Sequence, residues 1–542
     1  MPSVETAPLT SVRWRLQRYF VPLCAIACGL LWGLELAPTI AAHVGHDQAW
    51  DLYAANAMMH GVQLNGPRLI EVNPPFLVWF FSLPVLLSRL LHISLSAGFR
   101  TFWILIITGL IAWSASLYRR VSRASSLGVW LFTFCAMYIA TAPISLDDRG
   151  QREYLTAFLL LPYLLWAASR LRNIALPFSE TLVVAFFAAV GVCLKPQHVL
   201  DVVVVELLVL IRLRSVRRWF QSALVVLVIG PVLYLLAVRI FSPTYLRDIM
   251  PLLTETYWGF NKTWSVMAHT AVKQASAFAA GLILYSGLRR RLRAEPVIAC
   301  LLSAATGALL AYIQQHKGWN YQLLALQIFS YLAVAIICCD VIERMWLEWD
   351  ARSHRAEAKP VRSSICIGLA AVAFLIAMSI RLRHQQPIPY FEAQKTDLAE
   401  IYSAYPPGTA VDLLAVEPWE WPEVLDQDKV WASRYMHLWP LPAIVRSQDP
   451  LDTDRAHHLS PAKIAELSAL LRQTTADDLA HWRPAVVVIE PCGDPDICPA
   501  LSRIGYSGLL DWFERDPQFR DQWSHYRYQK TVGDMQAYIR VP

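Results

Sequence analysis

The sequence predicts a polytopic α-helical membrane protein of about 11 to 13 spans with a C-terminal soluble α/β domain on the outer face, and three observations lead there. Of 542 residues, 56% are apolar and 17% charged, with a mean hydropathy of +0.36. Soluble chains run nearer half apolar and about a quarter charged. Apolar stretches of crossing length, roughly 17–25 residues, recur along the first two thirds of the chain. Charge then divides: residues 384–542 hold 14 Lys and Arg against 23 Asp and Glu, and residues 1–383 hold 34 against 19. The chain is therefore divided into a membrane domain, 1–383, and a soluble domain, 384–542.

Taken in order, spans are expected near 19–42, 100–118, 126–146, 153–170, 179–194, 198–212, 219–241, 265–287, 295–314, 320–342 and 363–381. Segment 19–42 follows basic residues as a signal peptide does, but it lacks a small-residue cleavage site and further spans follow, so it reads as a helix. Cation clusters orient the chain: Arg13, Arg15 and Arg18; Arg119, Arg120 and Arg123; Arg170 and Arg172; Arg212 to Arg218; Arg289 to Arg293; Arg344 to Arg362. Such clusters mark cytoplasmic loops. All fall on one side if the apolar stretch 75–92, opened by Asn73-Pro74-Pro75, is juxtamembrane or re-entrant rather than a full crossing. That arrangement gives about eleven crossings, a cytoplasmic N-terminus and an outer C-terminus. The cations lie between apolar runs, so the partner they imply is the bilayer, not nucleic acid.

The C-terminal region changes pattern. Short β-like runs (Ala410 to Val416, Ala485 to Glu490, Met535 to Val541) alternate with helical stretches (Pro461 to Arg472, Leu501 to Trp512). Cys492 and Cys498 enclose Gly-Asp-Pro-Asp-Ile and can close a small disulfide loop in an oxidising compartment; no second Cys or His pair nearby has metal-ligand spacing. The other eight cysteines lie in or beside apolar segments, as small hydrophobes do. The sequence contains no short-period repeat, P-loop or dinucleotide-binding glycine pattern.

This topology sends an unusual set of charges to the outer face: Asp47, Asp51, Glu71, Asp147, Asp148, Arg149, Arg152, Glu153, Lys195, His198, His316 and Lys317. Ionisable groups at membrane depth are costly and usually paired or functional. Asp47 follows a span end, near enough to a membrane-held donor and open to a polar acceptor, which is where a general base for a hydroxyl belongs; the competing role is a helix N-cap. Asp51 reads as solvated or capping. The segment Trp50 to Met59 is expected to lie along the interface with Trp50 and Tyr53 at headgroup level. Trp258, Trp264 and Trp319 read as an interfacial belt.

The run from Asp47 through Gly61 to Glu71-Val72-Asn73-Pro74-Pro75 resembles the first outer loop of the glycosyltransferase C superfamily, especially its protein O-mannosyltransferase and lipid A aminoarabinose transferase branch. In the same order, Arg152-Glu153-Tyr154-Leu155 resembles the family's arginine-then-acid entry to a span, Lys195-Pro196 its lysine after a later span, and Gly318-Trp319-Asn320-Tyr321 its aromatic entry to another. The resemblance covers about 1–345. It implies a polyprenyl-phosphate or diphosphate sugar donor and inverting transfer to an acceptor hydroxyl on a glycan, lipid or protein, at a bacterial inner membrane with a periplasmic C-terminal domain. Asp47 would then be the base, with Glu153 or Asp148 as second acid: where relatives carry one Asp, this chain reads Asp147-Asp148-Arg149-Gly150-Gln151-Arg152-Glu153. Arg149, Arg152, Lys195 and Lys317 would bind the donor phosphate. Glu71, His198 and His316 could hold a divalent metal ion, as an acid and a histidine do in some relatives. A transporter or flippase, which needs ionisable groups near mid-membrane and often related halves, is the alternative of a different class; a lipid-linked glycan polymerase or ligase, or an inactive scaffold, are others.

Overall fold

The computed structural model describes residues 25–353 apart from 27 and 41, then 397–417, 421–490 and 497–541, with side chains omitted from 346 to 353. The expected span at 363–381, the 383/384 boundary, the cations Arg13, Arg15 and Arg18, and Cys492 lie outside the described residues.

The membrane part runs α1 (Cys28–Ile40), α2 (His46–Met59), α3 (Phe76–Leu91), α4 (Leu95–Ser122), α5 (Ser126–Thr141), α6 (Arg152–Leu171), α7 (Phe178–Leu194), α8 (Val199–Leu213), α9 (Val216–Trp219), α10 (Ser222–Phe241), α11 (Met250–Thr256), α12 (Trp264–Leu288), α13 (Glu295–Gln315) and α14 (Leu324–Ser353). Hydroxyl caps fix several starts: Ser94, Ser125 and Thr263 accept from the amides of Ala97, Gly128 and Val266. Among the described residues five helices are long and apolar enough to cross a membrane: α4, α6, α10, α13 and Asn320–Met345. α1, α3, α5 and α7 are shorter apolar helices. Along α10, Val228, Val232, Leu233, Leu236, Ile240 and Phe241 are exposed, a contiguous apolar face that water penalises and lipid does not. The chain is a polytopic membrane protein.

α6 is the central post. Every residue from Arg152 to Arg170 is buried, against α4, α7, α13 and α14. Its first turn therefore delivers Arg152 and Glu153 to the middle of one end of the bundle.

The C-terminal domain holds a five-stranded sheet in the order β2-β1-β3-β5-β4. β1 (Ala410–Leu414) is parallel to β2 (Val430–Trp431) and β3 (Val486–Ile489); β5 (Met535–Arg540) runs antiparallel to β3 and to β4 (Tyr526–Val532). β1 and β3 are apolar runs buried throughout or nearly so, the signature of strands covered on both faces. β2, two residues long, and β4, an exposed polar edge, carry too little apolar pattern to have been anticipated. The expected helix from Pro461 runs on to Trp482, and the expected stretch 501–512 breaks into Ile497–Arg503 and Leu509–Glu514 around Gly505, whose φ is +91°.

This domain is seated on the end of the bundle where α2 and α6 begin. The Ile70 amide donates to the Arg434 carbonyl (2.8 Å) and Ile70 bridges in parallel to Tyr435; the Trp431 amide donates to Tyr53 Oη (3.0 Å). His43 and Ser96 both reach Asp426, at 2.8 and 2.7 Å. Arg446 donates to the carbonyls of Gly259 and Asn261. The expectation for α2 is corrected here. Trp50 does not sit among headgroups; it is 2% exposed and packs edge-on against Trp421 of the C-terminal domain at 5.2 Å. Burying an indole against another domain removes more apolar area from water than leaving it at an interface. Asp51, expected to be solvated, is buried too.

Candidate active site

Four charges from three separate helix ends form a chain. Asp47 stands in the first turn of α2, Arg152 and Glu153 open α6, and Lys195 caps the C-terminus of α7. Arg152 Nη2 lies 3.4 Å from Asp47 Oδ2, Arg152 Nε 3.5 Å from Glu153 Oε2, and Lys195 Nζ 2.9 Å from Glu153 Oε1. Charges alternate along the row. The placement follows from local sequence: α2 is capped by Gly45, not by Asp47, and a Cβ at 45 would meet the Asp147 carbonyl at 2.2 Å. Only glycine lets loop 43–45 close on loop 145–151, a junction tied by Gln48 Nε2 to the Asp147 carbonyl at 2.9 Å. The α6 N-terminus contributes partial positive charge to the same spot, and Lys195 sits at a helix C-terminus, where a cation is favoured.

Further groups complete the surroundings. Gln151 Nε2 donates to Asp47 Oδ2 (2.9 Å), His46 Nε2 is 3.3 Å from Asp47 Oδ1, and the Arg152 guanidinium lies over the Tyr321 ring at 5.6 Å. Burial pushes Asp47 up, but His46, Arg152, the Gln151 amide and Lys195 together win and hold its carboxyl at about 2. Burial, with Arg152 beside it, lowers Lys195; Glu153 and Asp47 pull the other way. Nearby, Asp51 is raised by burial and then by Glu71. From the C-terminal domain His437 acts electrostatically on this site, interacting with Asp47 and His46; burial holds the imidazole at about 4, and its Nδ1 donates to the Val416 carbonyl at 2.5 Å.

Not every residue expected at the site reaches the row. Arg149 is turned away: it donates to the Glu35 carbonyl (3.1 Å), Thr39 Oγ1 and the Thr141 carbonyl (2.7 Å), fastening α1 to α5. Its backbone turn points the side chain between helices, so it holds the bundle and does not face Asp47. Lys317 donates to the Tyr257 carbonyl (2.8 Å) and Asn261 Oδ1 (2.6 Å) and stands over the Tyr257 ring; burial, reinforced by Arg446, lowers it to about 7. Asp148 accepts from Ser145 Oγ at 2.6 Å, and burial, with Asp147, Glu153 and Asp47 nearby, raises it to about 7. Of the two acids left open by the sequence, Glu153 stands in the row and Asp148 beside it.

The three residues suggested for a metal ion do not gather. Glu71 accepts from Trp50 Nε1 and from Asn73 (2.6 Å from the amide, 2.7 Å from Nδ2), His198 pairs with Asp201, and His316 lies against the Trp264 ring at 4.4 Å. Among the described residues no three His, Cys, Asp or Glu side chains form a metal-holding group. Cys498 is disulfide-bonded.

Gln151 and His437 were not singled out by sequence. Gln151 is next to a noted motif and carries no charge to flag it. His437 lies 390 residues from Asp47, and only the docking of the two domains brings it near.

No protein-family model matches the chain, and no curated protein matches its sequence. A solved structure does: ArnT from Cupriavidus metallidurans, crystallised bound to undecaprenyl phosphate, is similar over 96% of this chain and 98% of that one, with a TM-score of 0.52 and 13% identity. At that identity the likeness speaks to the fold. The chain shares its overall fold with that protein over nearly the whole length of both.

Proposed function

We propose that the protein is a membrane glycosyltransferase that moves a sugar from a polyprenyl-phosphate carrier to an acceptor hydroxyl, at the membrane face bearing the C-terminal domain. One observation bears most of the weight: the alternating row Asp47, Arg152, Glu153, Lys195, placed where three helix ends meet beneath a soluble domain. The fold it shares with a protein that binds undecaprenyl phosphate supports the donor class. Positive-inside clustering supports a cytoplasmic N-terminus and a periplasmic C-terminal domain at a bacterial inner membrane.

Chemically, the acceptor oxygen attacks the anomeric carbon, the bond from that carbon to the phosphate oxygen breaks, and its electron pair leaves on the phosphate. Asp47 takes the hydroxyl proton. A single displacement inverts the anomeric centre and needs no nucleophile from the protein. Arg152 and Lys195 stabilise the phosphate as its charge develops. In the resting site those cations sit on carboxylates, and Asp47 at about 2 is a weak base. An incoming phosphate competes for Arg152 and Lys195 and so restores the basicity of Asp47 when the donor is in place. Glu153 holds Lys195 until then.

The test is a donor screen: purified protein in proteoliposomes, undecaprenyl-phosphate sugars labelled in the sugar, and envelope extract as acceptor source. Label is expected to leave the carrier and enter acceptor, with free undecaprenyl phosphate as co-product. Movement of intact labelled lipid between leaflets, with the sugar still attached, would identify a flippase and overturn the proposal.

A further inference from the structure

The end of the bundle away from the C-terminal domain holds cations in two different situations. Some are answered by the protein itself: Arg120 Nη1 donates to Glu180 at 2.7 Å, Arg170 meets Glu206, Arg293 lies 3.6 Å from Glu343, and Arg172 donates to the carbonyls of Val121 (3.0 Å) and Arg293. Two loops differ. Residues 212–221 and 286–295 hold eight arginines against one acid, Glu295. Arg212 already occupies that acid, donating from Nη1 to Glu295 Oε2 at 3.0 Å and from Nη2 to Tyr285 Oη at 2.6 Å, while Tyr285 donates to Glu295. Among the described residues, Arg214, Arg217, Arg218, Arg289, Arg290 and Arg291 are exposed and have no carboxylate within ion-pair reach.

The Arg212 contacts bring the two loops together. They tie the last turn of α8 to the last turn of α12 and the first turn of α13, so the chain carrying Arg214, Arg217 and Arg218 and the chain carrying Arg289 to Arg291 leave the bundle from one junction. Trp219 fastens the first loop: its Nε1 donates to Glu206 at 2.8 Å and its carbonyl accepts from Arg170 at 2.6 Å. Its neighbours stay outside. Val216 and Phe220 are 67% and 57% exposed and flank Arg217 and Arg218 in sequence. Deeper along the same two helices, Leu207 and Ile211 of α8 and Ile283 of α12 are exposed as well. Cations therefore stand at the rim of an apolar surface. A soluble anion would leave that surface unanswered, and a neutral lipid would leave the charges unanswered; a lipid with an anionic headgroup meets both.

We propose that these two loops bind an anionic phospholipid of the adjoining leaflet, its phosphate on arginines from both loops and its acyl chains along Leu207, Ile211 and Ile283, with Val216 and Phe220 dipping into the same hydrocarbon. Arginine suits the task because its planar fork grips phosphate bidentately. The site lies at the opposite end of α6 from Arg152 and does not depend on the glycosyl-transfer reading.

The test is native mass spectrometry of the full-length protein, released from a neutral detergent that contains equal amounts of dioleoylphosphatidylglycerol and dioleoylphosphatidylcholine. Phosphatidylglycerol is expected to be retained in clear preference. Arg217→Gln/Arg290→Gln takes one exposed cation from each loop and is expected to weaken that retention about tenfold or more, since each arginine at an anionic headgroup is worth about 1 kcal/mol. Arg119→Gln/Arg123→Gln removes as much charge from another loop at the same end of the bundle and is expected to leave retention within about twofold. Phe220→Ser should lower it severalfold, and millimolar inorganic phosphate should not displace the lipid. Equal retention of the two lipids would show that the arginines do not select an anion. Equal loss in the two double variants would reduce the effect to general surface charge, and complete displacement by inorganic phosphate would make this a site for a free anion. Each of these results overturns the proposal.

Discussion

The two ends of α6 present the same kind of chemistry in opposite states. At its C-terminal end Glu206 is saturated: it accepts from Arg170 through both oxygens (2.7 and 3.0 Å), from Tyr163 Oη (2.8 Å) and from Trp219 Nε1 (2.8 Å), while Arg170 also donates to the Trp219 carbonyl and stacks on Trp166 at 4.7 Å. At the N-terminal end, about 30 Å away by helix rise, Glu153 is just as deeply buried but is met only by Lys195 at 2.9 Å and Arg152 at 3.5 Å, without the hydroxyl and indole donors that complete Glu206. A buried ion pair is tolerated when hydrogen bonds replace the lost water. One end satisfies that rule and the other violates it, so burial of charge alone does not mark a site. Unsatisfied burial does.

If the contrast is sound, variants at the two ends should fail in different ways. Asp47→Asn removes the proton acceptor and is expected to lower kcat per folded molecule by about two to four orders of magnitude; transfer at the wild-type rate would take Asp47 out of the mechanism. Glu206→Ala leaves Arg170 buried and uncompensated, so a loss of about 3–5 kcal/mol of stability is expected. Denaturation measures it, and kcat per folded molecule should stay unchanged. A Glu206 variant that is stable but catalytically impaired would erase the distinction between the ends.

Much of this was legible in the sequence because the signal was local. Asp47, Arg152, Glu153 and Lys195 each interrupt an apolar run at its boundary, so composition alone marks both the helix end and the charge. Arg149 has the same local signature but does not join the row: which way it turns depends on α1, whose Thr39 and Glu35 carbonyl receive it. Trp50 was misplaced for a related reason, since its partner Trp421 arrives from the other domain. The membrane helices were readable through length and hydropathy, whereas the two-residue β2 and the polar β4 draw their strand character from neighbours. His437 was invisible, because a histidine in a soluble domain carries no mark of the carboxylate it will face.

A smaller contrast lies within the C-terminal domain itself. Asp478 is paired with Arg434 through several contacts near 3 Å, while neighbouring Asp412 on β1 is fully buried, has an unpartnered Oδ2, and is raised to about 8 by burial and then by Asp478. A carboxyl whose folded value exceeds its unfolded one favours the fold while protonated, and that contribution fades as pH climbs from about 4 to about 8. Asp412→Asn removes that buried charge and should therefore stabilise the protein at pH 8, by about 1.4 kcal/mol or more, and give no gain at pH 4. Equal effects at both pH values would mean that Asp412 is not charged in the fold at either.

The finest test asks whether the unsatisfied end of α6 responds to donor as the saturated end cannot. Asp47 acts as a carboxylate, so activity falls as pH drops through its pKa. In the free site that value is about 2, held down by His46, Arg152, Gln151 and Lys195 against the opposing effect of burial. A bound phosphate draws Arg152 and Lys195 toward itself and adds negative charge beside Asp47. Both changes favour the protonated form and move the carboxyl upward, toward or past its ordinary value of 3.8. The pH profile of kcat/KM reports the free enzyme and that of kcat the donor complex. Hence kcat/KM should stay flat down to the acid-unfolding limit, while kcat declines at least about one pH unit earlier, a difference near 1.4 kcal/mol. Coincident acid limbs would show that the donor leaves the Asp47–Arg152 pair undisturbed, and the cations proposed to receive the phosphate would have to be sought elsewhere.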